Sequence, residues 1–585
     1  MGLTSQFIVE RDIRVRMRDG VDLATDIYRP GDRARHPVLL QRTPYDRNYQ
    51  PIAGLNTIAL VEAGYVIVTQ DCRGRFGSGG TFTPFVDEAA DGVDAIAWCA
   101  AQPWSNGRVG MIGGSYVGAT QWLPAGERPP ALRAIAPYVT SSDYHEGWVY
   151  QGGAFELGFS LRWSLESLAL PALLVREERG ESVAAEIAEL RAAVRDMRSL
   201  YRHRPLRGMS LMRRFAPWYD EWLEHPARDA FWEAISPQAR YAETDVASLN
   251  IAGWYDLFAD GTYRNFVGMN QDAAGERGQR GSRLIVGPWS HAVDNGIFAE
   301  RHYGSLASLD GQDPTGLHRA FFDRWLGDDP GPDDAAVDPP VRLFVMGSDR
   351  WQHETAWPPS DAHLATWYLR GSGRANTARG DGHLSMDAPG GEDPDAFLYD
   401  PRDPVPTMGG ATLNQSGTAG WNSGPWDQRP IESRADVLVY TSAPLKHAVT
   451  VIGPVEAILF VSSSAVDTDF TAKLVDVHPS GRAEILADGI LRARYRHSLA
   501  DPQPLEPGRV EEIWVSVGGT ANVFLPGHRI RLDISSSNFP RFDANTNTGG
   551  TIADEGPDAG VPALNRVFHD TAHPSRLLLP TVDRG

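Results

Sequence analysis

Apolar and polar positions repeat with different periods along this chain, and each change of period marks a change of architecture. Through residue 144, short strand-like runs alternate with helical spacing. "IRVRMRDGVDLATDIY" alternates apolar and polar about Asp19–Gly20, which predicts a hairpin. "HPVLLQRTPY", "GYVIVTQD" and "LRAIAPYV" are nearly continuous apolar runs, the pattern of strands buried on both faces. Between them "TPFVDEAADGVDAIAWCAAQPW" carries a helix, and a turn at Asn106–Gly107 leads into the apolar run Val109–Ile112. This alternation predicts an α/β unit built on a parallel sheet.

The period then lengthens. In "ESVAAEIAELRAAVRDMRSLY" the apolar residues fall at 183, 187, 190, 194, 197 and 201, one face of an amphipathic helix. Residues 145–240 read as an inserted helical segment, because buried-strand runs resume afterwards in "VASLNIAGWYD" and "SRLIVGPWSH". A helix, "GLHRAFFDRWLG", and a strand, "VRLFVMG", complete the second α/β portion, 241–354. From 355 to 585 helical periodicity disappears. Gly, Pro, Asp and Asn punctuate short runs such as "EAILFVSSS", "DFTAKLVDVH" and "HRIRLDISSS", which predicts an all-β domain of two packed sheets. "DDPGPDDAAVDPP" reads as a surface loop.

Composition narrows the function classes. The net charge of −20 argues against a nucleic-acid partner, which would need a basic face. No stretch approaches the ~18 uninterrupted apolar residues of a membrane helix. The start, "MGLTSQFIVERDIRVRMRDG", lacks the basic and apolar regions of a signal peptide, so a cytoplasmic protein without membrane association is expected. The two cysteines, Cys72 and Cys99, form no Cys-x-x-Cys pair and suit a reducing compartment.

Chemistry first shows in "VGMIGGSYVGATQW", where an apolar run ends at two glycines followed at once by Ser115. Small residues at such a corner suit a nucleophile elbow, and they equally suit a plain strand-to-helix turn. The spacing departs from Gly-x-Ser-x-Gly, with Val117 before Gly118. A serine hydroxyl needs a base and an orienting acid to become nucleophilic. "LNIAGWYD" ends an apolar run at Asp256, and "RLIVGPWSH" ends the next at His291. Three such residues at strand exits, in the order Ser, acid, His, are far more specific than any one of them. The backbone N–H of Tyr116 is the expected first oxyanion donor, and Tyr45, at the exit of "LLQRTPY", is placed for the second.

Several longer stretches carry a family resemblance: "RTPYDR", "QDCRGRFGSGGTF", "QPWSNGRVGMIGGSYVGATQW", "GWYDLF" and "GPWSH", then "YDPRDPVPTMGG", "DTDFTAKLVDVHPSG" and "GHRIRLDISSSNFPRFDANTNTG". Over nearly its whole length the chain resembles the bacterial cocaine-esterase-like hydrolases, a family that also holds Xaa-Pro dipeptidyl peptidases and α-amino acid ester hydrolases. The resemblance implies an α/β-hydrolase core, a helical cap and a C-terminal jelly roll. It makes Ser115 the nucleophile, His291 the base and Asp256 its partner, with Tyr45 and the Tyr116 amide as the oxyanion hole. It also implies an aromatic acyl pocket at Trp148, Trp163 and Phe258. Leu413 and Asn414 follow the Gly409–Gly410 pair where esterase-like members present an apolar pair, so the polar Asn414 leaves a benzoyl ester unassured.

The expectation is therefore a serine carboxylesterase acting on a small-molecule ester, with neither cofactor nor metal; a homodimer is compatible with it. The sixteen histidines yield no His-Glu-x-x-His motif, and no Gly-x-x-x-x-Gly-Lys loop is present. An amide- or dipeptide-directed relative and a non-catalytic carbohydrate-binding protein are the competing readings. Asp143 and Glu146, near the core–cap junction, read as surface charges rather than as an amine site.

Overall fold

β5 (Ser105–Gly114) lies in the middle of a ten-stranded sheet, and its neighbours explain why the first α/β portion reads as buried runs. The computed structural model describes residues 7–48, 55–327, 339–413 and 423–584; the acidic loop expected at 328–340 lies almost wholly outside them. β1 (Phe7–Arg16) and β2 (Asp22–Pro30) form the expected antiparallel hairpin. β3 (His36–Thr43), β4 (Val66–Asp71), β5 and β6 (Leu132–Tyr138) run parallel. Beyond a short hairpin of β7 (Tyr150–Gln151) and β8 (Ala154–Phe155), the sheet resumes with β9 (Ala247–Tyr255), β10 (Arg283–Ser290), β11 (Val341–Val345) and β12 (Arg350–Glu354). The order is β1-β2-β4-β3-β5-β6-β9-β10-β11-β12, and the strands from β4 to β11 are parallel. Every residue of β4 and of β9 is buried, as strands covered on both faces must be.

Helices from 157 to 243 form the inserted segment between β8 and β9. The periodic stretch at 181–201 presents the expected face, with Val183, Ile187, Leu190, Met197 and Tyr201 buried. It is not one helix, however: Ala184–Arg195 and Met197–Arg202 break at Asp196, whose backbone leaves the helical region and whose carboxylate accepts from the Ser199 hydroxyl. An Asp whose carboxylate engages a side chain of the next turn favours a break over a continued helix. Trp163–Ala169 winds as a π-helical stretch, a local irregularity that often marks a functional position.

The C-terminal half is all β. It comprises β13 (His363–Arg370), β14 (His383–Ser385), β15 (Asp395–Tyr399), β16 (Leu438–Ser442), β17 (Val449–Ser463), β18 (Asp469–Val477), β19 (Ala483–Arg492), β20 (Glu511–Phe524), β21 (Arg529–Ser535), β22 (Ala563–Phe568) and β23 (Arg576–Thr581). One continuous eleven-stranded hydrogen-bonded set forms, because the short β14 pairs with both β13 and β16 and so joins the strands gathered around β17 to those around β21. Its core is not separate either: Trp254, Tyr255, Leu343 and Met346 of the parallel sheet share one buried cluster with Leu459, Val515 and Leu532.

A charged clamp joins this β domain to the β7–β8 hairpin. Arg492 donates to both oxygens of Asp469 (2.9 and 3.0 Å) and to Asp543 (2.7 Å), and the Asp543 carboxylate also accepts from the Phe155 amide. All three charged side chains are buried. Replacing Arg492 by Leu would leave two uncompensated carboxylates at the junction, at a cost of about 3–5 kcal/mol. The expected result is a clear fall in the midpoint of thermal unfolding, whereas Glu506→Gln, on the exposed surface, should leave it nearly unchanged.

Candidate active site

The strand order places the ends of β3, β5, β9 and β10 at one edge of the sheet, with one strand between β5 and β9. Ser115 follows β5 at the turn into the helix Tyr116–Ala125, with φ 60° and ψ −127°. A serine avoids this region, at a cost of ~1–3 kcal/mol, unless its surroundings enforce it. They do so through close approach. A Cβ on Gly113, itself at φ +129°, would lie 2.2 Å from the Val117 side chain, and one on Gly118 would lie 2.6 Å from Thr140. The late glycine at 118 is thus the point where the new helix crosses the segment leaving β6.

Asp256 directly follows β9 and His291 directly follows β10. His291 Nδ1 lies 2.8 Å from Asp256 Oδ1, and His291 Nε2 lies 3.0 Å from Ser115 Oγ. Asp256 is buried while His291 and Ser115 keep partial access to solvent. With Nδ1–H donated to the carboxylate, the tautomer leaves Nε2 as acceptor for the serine proton.

Tyr45 leaves β3 and brings its hydroxyl into hydrogen-bonding contact with Ser115. The Trp163 indole N–H donates to the same hydroxyl at 2.9 Å, so the phenol proton stays available for another acceptor. Burial pushes the Tyr45 phenol up to about 12, with the Trp163 and Ser115 hydrogen bonds opposing. The Tyr116 amide opens its helix and has no intrahelical acceptor. The Tyr116 side chain serves a separate purpose: its hydroxyl accepts from the Phe85 amide at 2.7 Å and donates to Glu88 at 3.0 Å.

Aromatic rings surround this centre. Trp148 stacks on Phe258 at 4.0 Å, and Phe258 meets the His291 ring edge-on at 5.0 Å. Trp163 lies nearly parallel to Tyr116 at 5.8 Å, with Phe159 on its other side. Trp148 and Phe258 are both enclosed, and Leu413 packs against the same cluster. Asn414 lies outside the described residues.

Several supporting residues escaped sequence reasoning. Arg75, buried, donates to the Pro44 carbonyl (2.8 Å) and to the Leu168 carbonyl (2.9 Å), tying the Tyr45 loop to the helical segment. Asp71 accepts from the amides of Arg47 and Gly77, so the glycine-rich "GRFGSGG" stretch braces that loop. Arg42, fully buried, meets Glu88 at 2.7 Å beneath Tyr116. Asp143 is a correction: it is buried, not a surface charge. Its carboxylate accepts from the amides of His145 and Glu146 and from Arg228, Ser236 and Gln238. Those five donors leave it no capacity for a substrate amine. Glu146 is half-buried, its carboxyl raised by desolvation to about 7, and it accepts from the Gly152 amide.

The profile of the X-Pro dipeptidyl-peptidase S15 family matches residues 19–293, and that of the X-Pro dipeptidyl-peptidase C-terminal non-catalytic domain matches residues 334–578. Cocaine esterase of Rhodococcus sp. (strain MB1 Bresler) is 44% identical over 585 residues, covering 99% of each chain. Among solved structures, an aminopeptidase from a marine sediment Thaumarchaeota archaeon superposes with a TM-score of 0.80 at 26% identity, covering 99% of this chain and 97% of the other. An α-amino acid ester hydrolase gives 0.79 at 26% identity with the same coverage.

Because its raised phenol stays protonated, Tyr45 remains a neutral donor far above neutral pH. A spectrophotometric difference titration between the native chain and Tyr45→Phe should stay flat through pH 10, where ordinary tyrosines ionise. A difference appearing at pH 10 would contradict the buried setting.

Proposed function

The chain belongs to the S15 family that includes cocaine esterase, and on that footing we propose that Ser115, His291 and Asp256 form the catalytic triad of a serine carboxylesterase. The observation that carries this reading is the unbroken hydrogen-bonded line from Asp256 through His291 to Ser115, with the Tyr45 hydroxyl beside the serine. Ser115 Oγ attacks the ester carbonyl as its proton passes to His291 Nε2, while Asp256 stabilises the imidazolium that forms. The Tyr45 hydroxyl and the Tyr116 N–H donate to the developing oxyanion. His291 then protonates the leaving alcohol. Water, deprotonated by the same imidazole, releases the acid from the acyl-enzyme.

The substrate is a small ester with a flat, uncharged acyl group. Support comes from the apolar cluster of Trp148, Trp163, Phe258 and Leu413, which meets His291 through Phe258. An amine-bearing acyl group is the second reading, raised by the aminopeptidase and amino acid ester hydrolase likenesses. Saturation of Asp143 weighs against that residue as the amine's partner.

Ser115→Ala should abolish both p-nitrophenyl ester hydrolysis and fluorophosphonate labelling; retained turnover would overturn the assignment. Tyr45→Phe should lower kcat by about 10²–10³ with KM little changed, the signature of a donor that acts on the transition state. In a panel pairing p-nitrophenyl benzoate and acetate with amino-acid and Xaa-Pro anilides, the uncharged esters should be hydrolysed fastest. A preference for the anilides would favour the amine reading.

A further inference from the structure

Far along the chain from the triad, strand pairing gathers two imidazoles and two carboxylates on one face of the β domain. Asp476 of β18 stands directly opposite Glu484 of β19, so their side chains share a face. His478 comes two residues after Asp476, and the period of a strand returns it to that face. The hairpin closes tightly around it, with His478 N donating to Arg482 O and Gly481 N donating to His478 O, both at 2.8 Å. His528 arrives from the turn before β21, which pairs with β18 on its other side.

One ligand atom each of Asp476, His478 and His528 lies within 4.8 Å of the other two. His528 Nδ1 is 2.8 Å from Asp476 Oδ1, and His478 Nε2 is 3.6 Å from Glu484 Oε2. The imidazole rings are 4.5 Å apart. Metal–ligand bonds of ~2.0–2.1 Å in a tetrahedral zinc site put neighbouring donor atoms roughly 3.3 Å apart. The two observed separations bracket that value. An ion would take the place of the hydrogen bond between His528 and Asp476 and draw His478, whose donor atom lies within 4.8 Å of theirs, toward it.

One further feature suits a cation at this cluster. Glu484 is 5% exposed, and its Oε2 has no hydrogen-bond donor although it faces His478. Arg482 approaches that oxygen at 3.3 Å but directs its own hydrogen bonds to the carbonyls of Glu300 and Pro425. His478 keeps 27% of its side chain exposed, which provides an entry path.

We propose that His478, His528 and Asp476 hold a zinc ion whose fourth position water fills, with the Glu484 carboxylate beside His478, and that the ion fastens the β18–β19 hairpin to the turn before β21. Imidazole nitrogens select a borderline ion such as Zn²⁺ over Ca²⁺ or Mg²⁺, which prefer all-oxygen sites. Two carboxylates neutralise the ion's charge. The hairpin in turn leans on the segment that follows His291, through Arg482 and the Glu300 carbonyl, so the ion would stiffen a contact between β domain and hydrolase core.

The test uses the full chain stripped with dipicolinate and reloaded with Zn²⁺ or Co²⁺ during equilibrium dialysis. One ion per chain is expected, with the intense visible absorption of four-coordinate Co²⁺ and a raised midpoint of thermal unfolding for the loaded form. His478→Ala, at the accessible rim, should weaken Zn²⁺ binding at least tenfold while leaving ester hydrolysis as a check of folding. His528→Gln should do the same, and His203→Ala, an exposed histidine of the helical segment, should not. Failure of the native chain to retain stoichiometric Zn²⁺ at micromolar concentrations would overturn the proposal. So would equal loss in the His203 variant, and the native-chain measurement decides even if a variant fails to fold.

Discussion

The backbone of Ser115 is the constraint on which the rest of the site depends. Its positive φ is sustained because β5, the helix after it and the segment leaving β6 meet with no room for side chains at Gly113 and Gly118. The same crowding points Oγ away from the sheet, toward His291, and leaves the Tyr116 amide at the open start of a helix. A relaxed turn would lose both at once. Presentation of the proposed nucleophile and of one proposed oxyanion donor is thus a single backbone property, maintained by packing.

The second proposed donor is positioned in a different way. Tyr45 sits on a loop beyond β3 whose conformation is held by charge: Asp71 receives the Arg47 and Gly77 amides, and buried Arg75 bridges the loop to the Leu168 carbonyl. Buried arginines cost desolvation unless their hydrogens are matched, and here carbonyls and carboxylates match them. The cap therefore does more than cover the site. Through Arg75 and the Trp163 indole it fixes the Tyr45 loop and its hydroxyl.

The parts legible in the sequence were those where a short apolar run ends on a residue with chemistry. Ser115, Asp256, His291 and Tyr45 each stand at or just past such an end, and a parallel sheet gathers strand ends at one edge whatever the intervening length. Periodicity likewise found the buried face of residues 183–201 but not the break at Asp196, because an interrupted helix can keep its apolar stripe in phase. Arg42, Arg75 and Asp143 were not legible. A charged residue looks the same in sequence whether it meets water or five buried donors, and only tertiary contacts distinguish the two. The β domain's single hydrogen-bonded set was hidden for a related reason, since the three-residue β14 that joins its two halves carries no pattern of its own.

These contacts bear on how selectivity and rate can be separated in such a site. Trp163 belongs to the aromatic wall and also donates to the Tyr45 hydroxyl, while Phe258 belongs to the wall and also abuts His291. A substitution that reshapes the wall at either position therefore disturbs a group proposed for the chemistry. Leu413 differs: it packs against the cluster from the β domain and makes no hydrogen bond to the proposed triad or oxyanion donors among the described contacts. The physical room for changing acyl preference without loss of transition-state stabilisation lies on that side of the site. There the β domain, itself fastened to the cap through Arg492, supplies the wall.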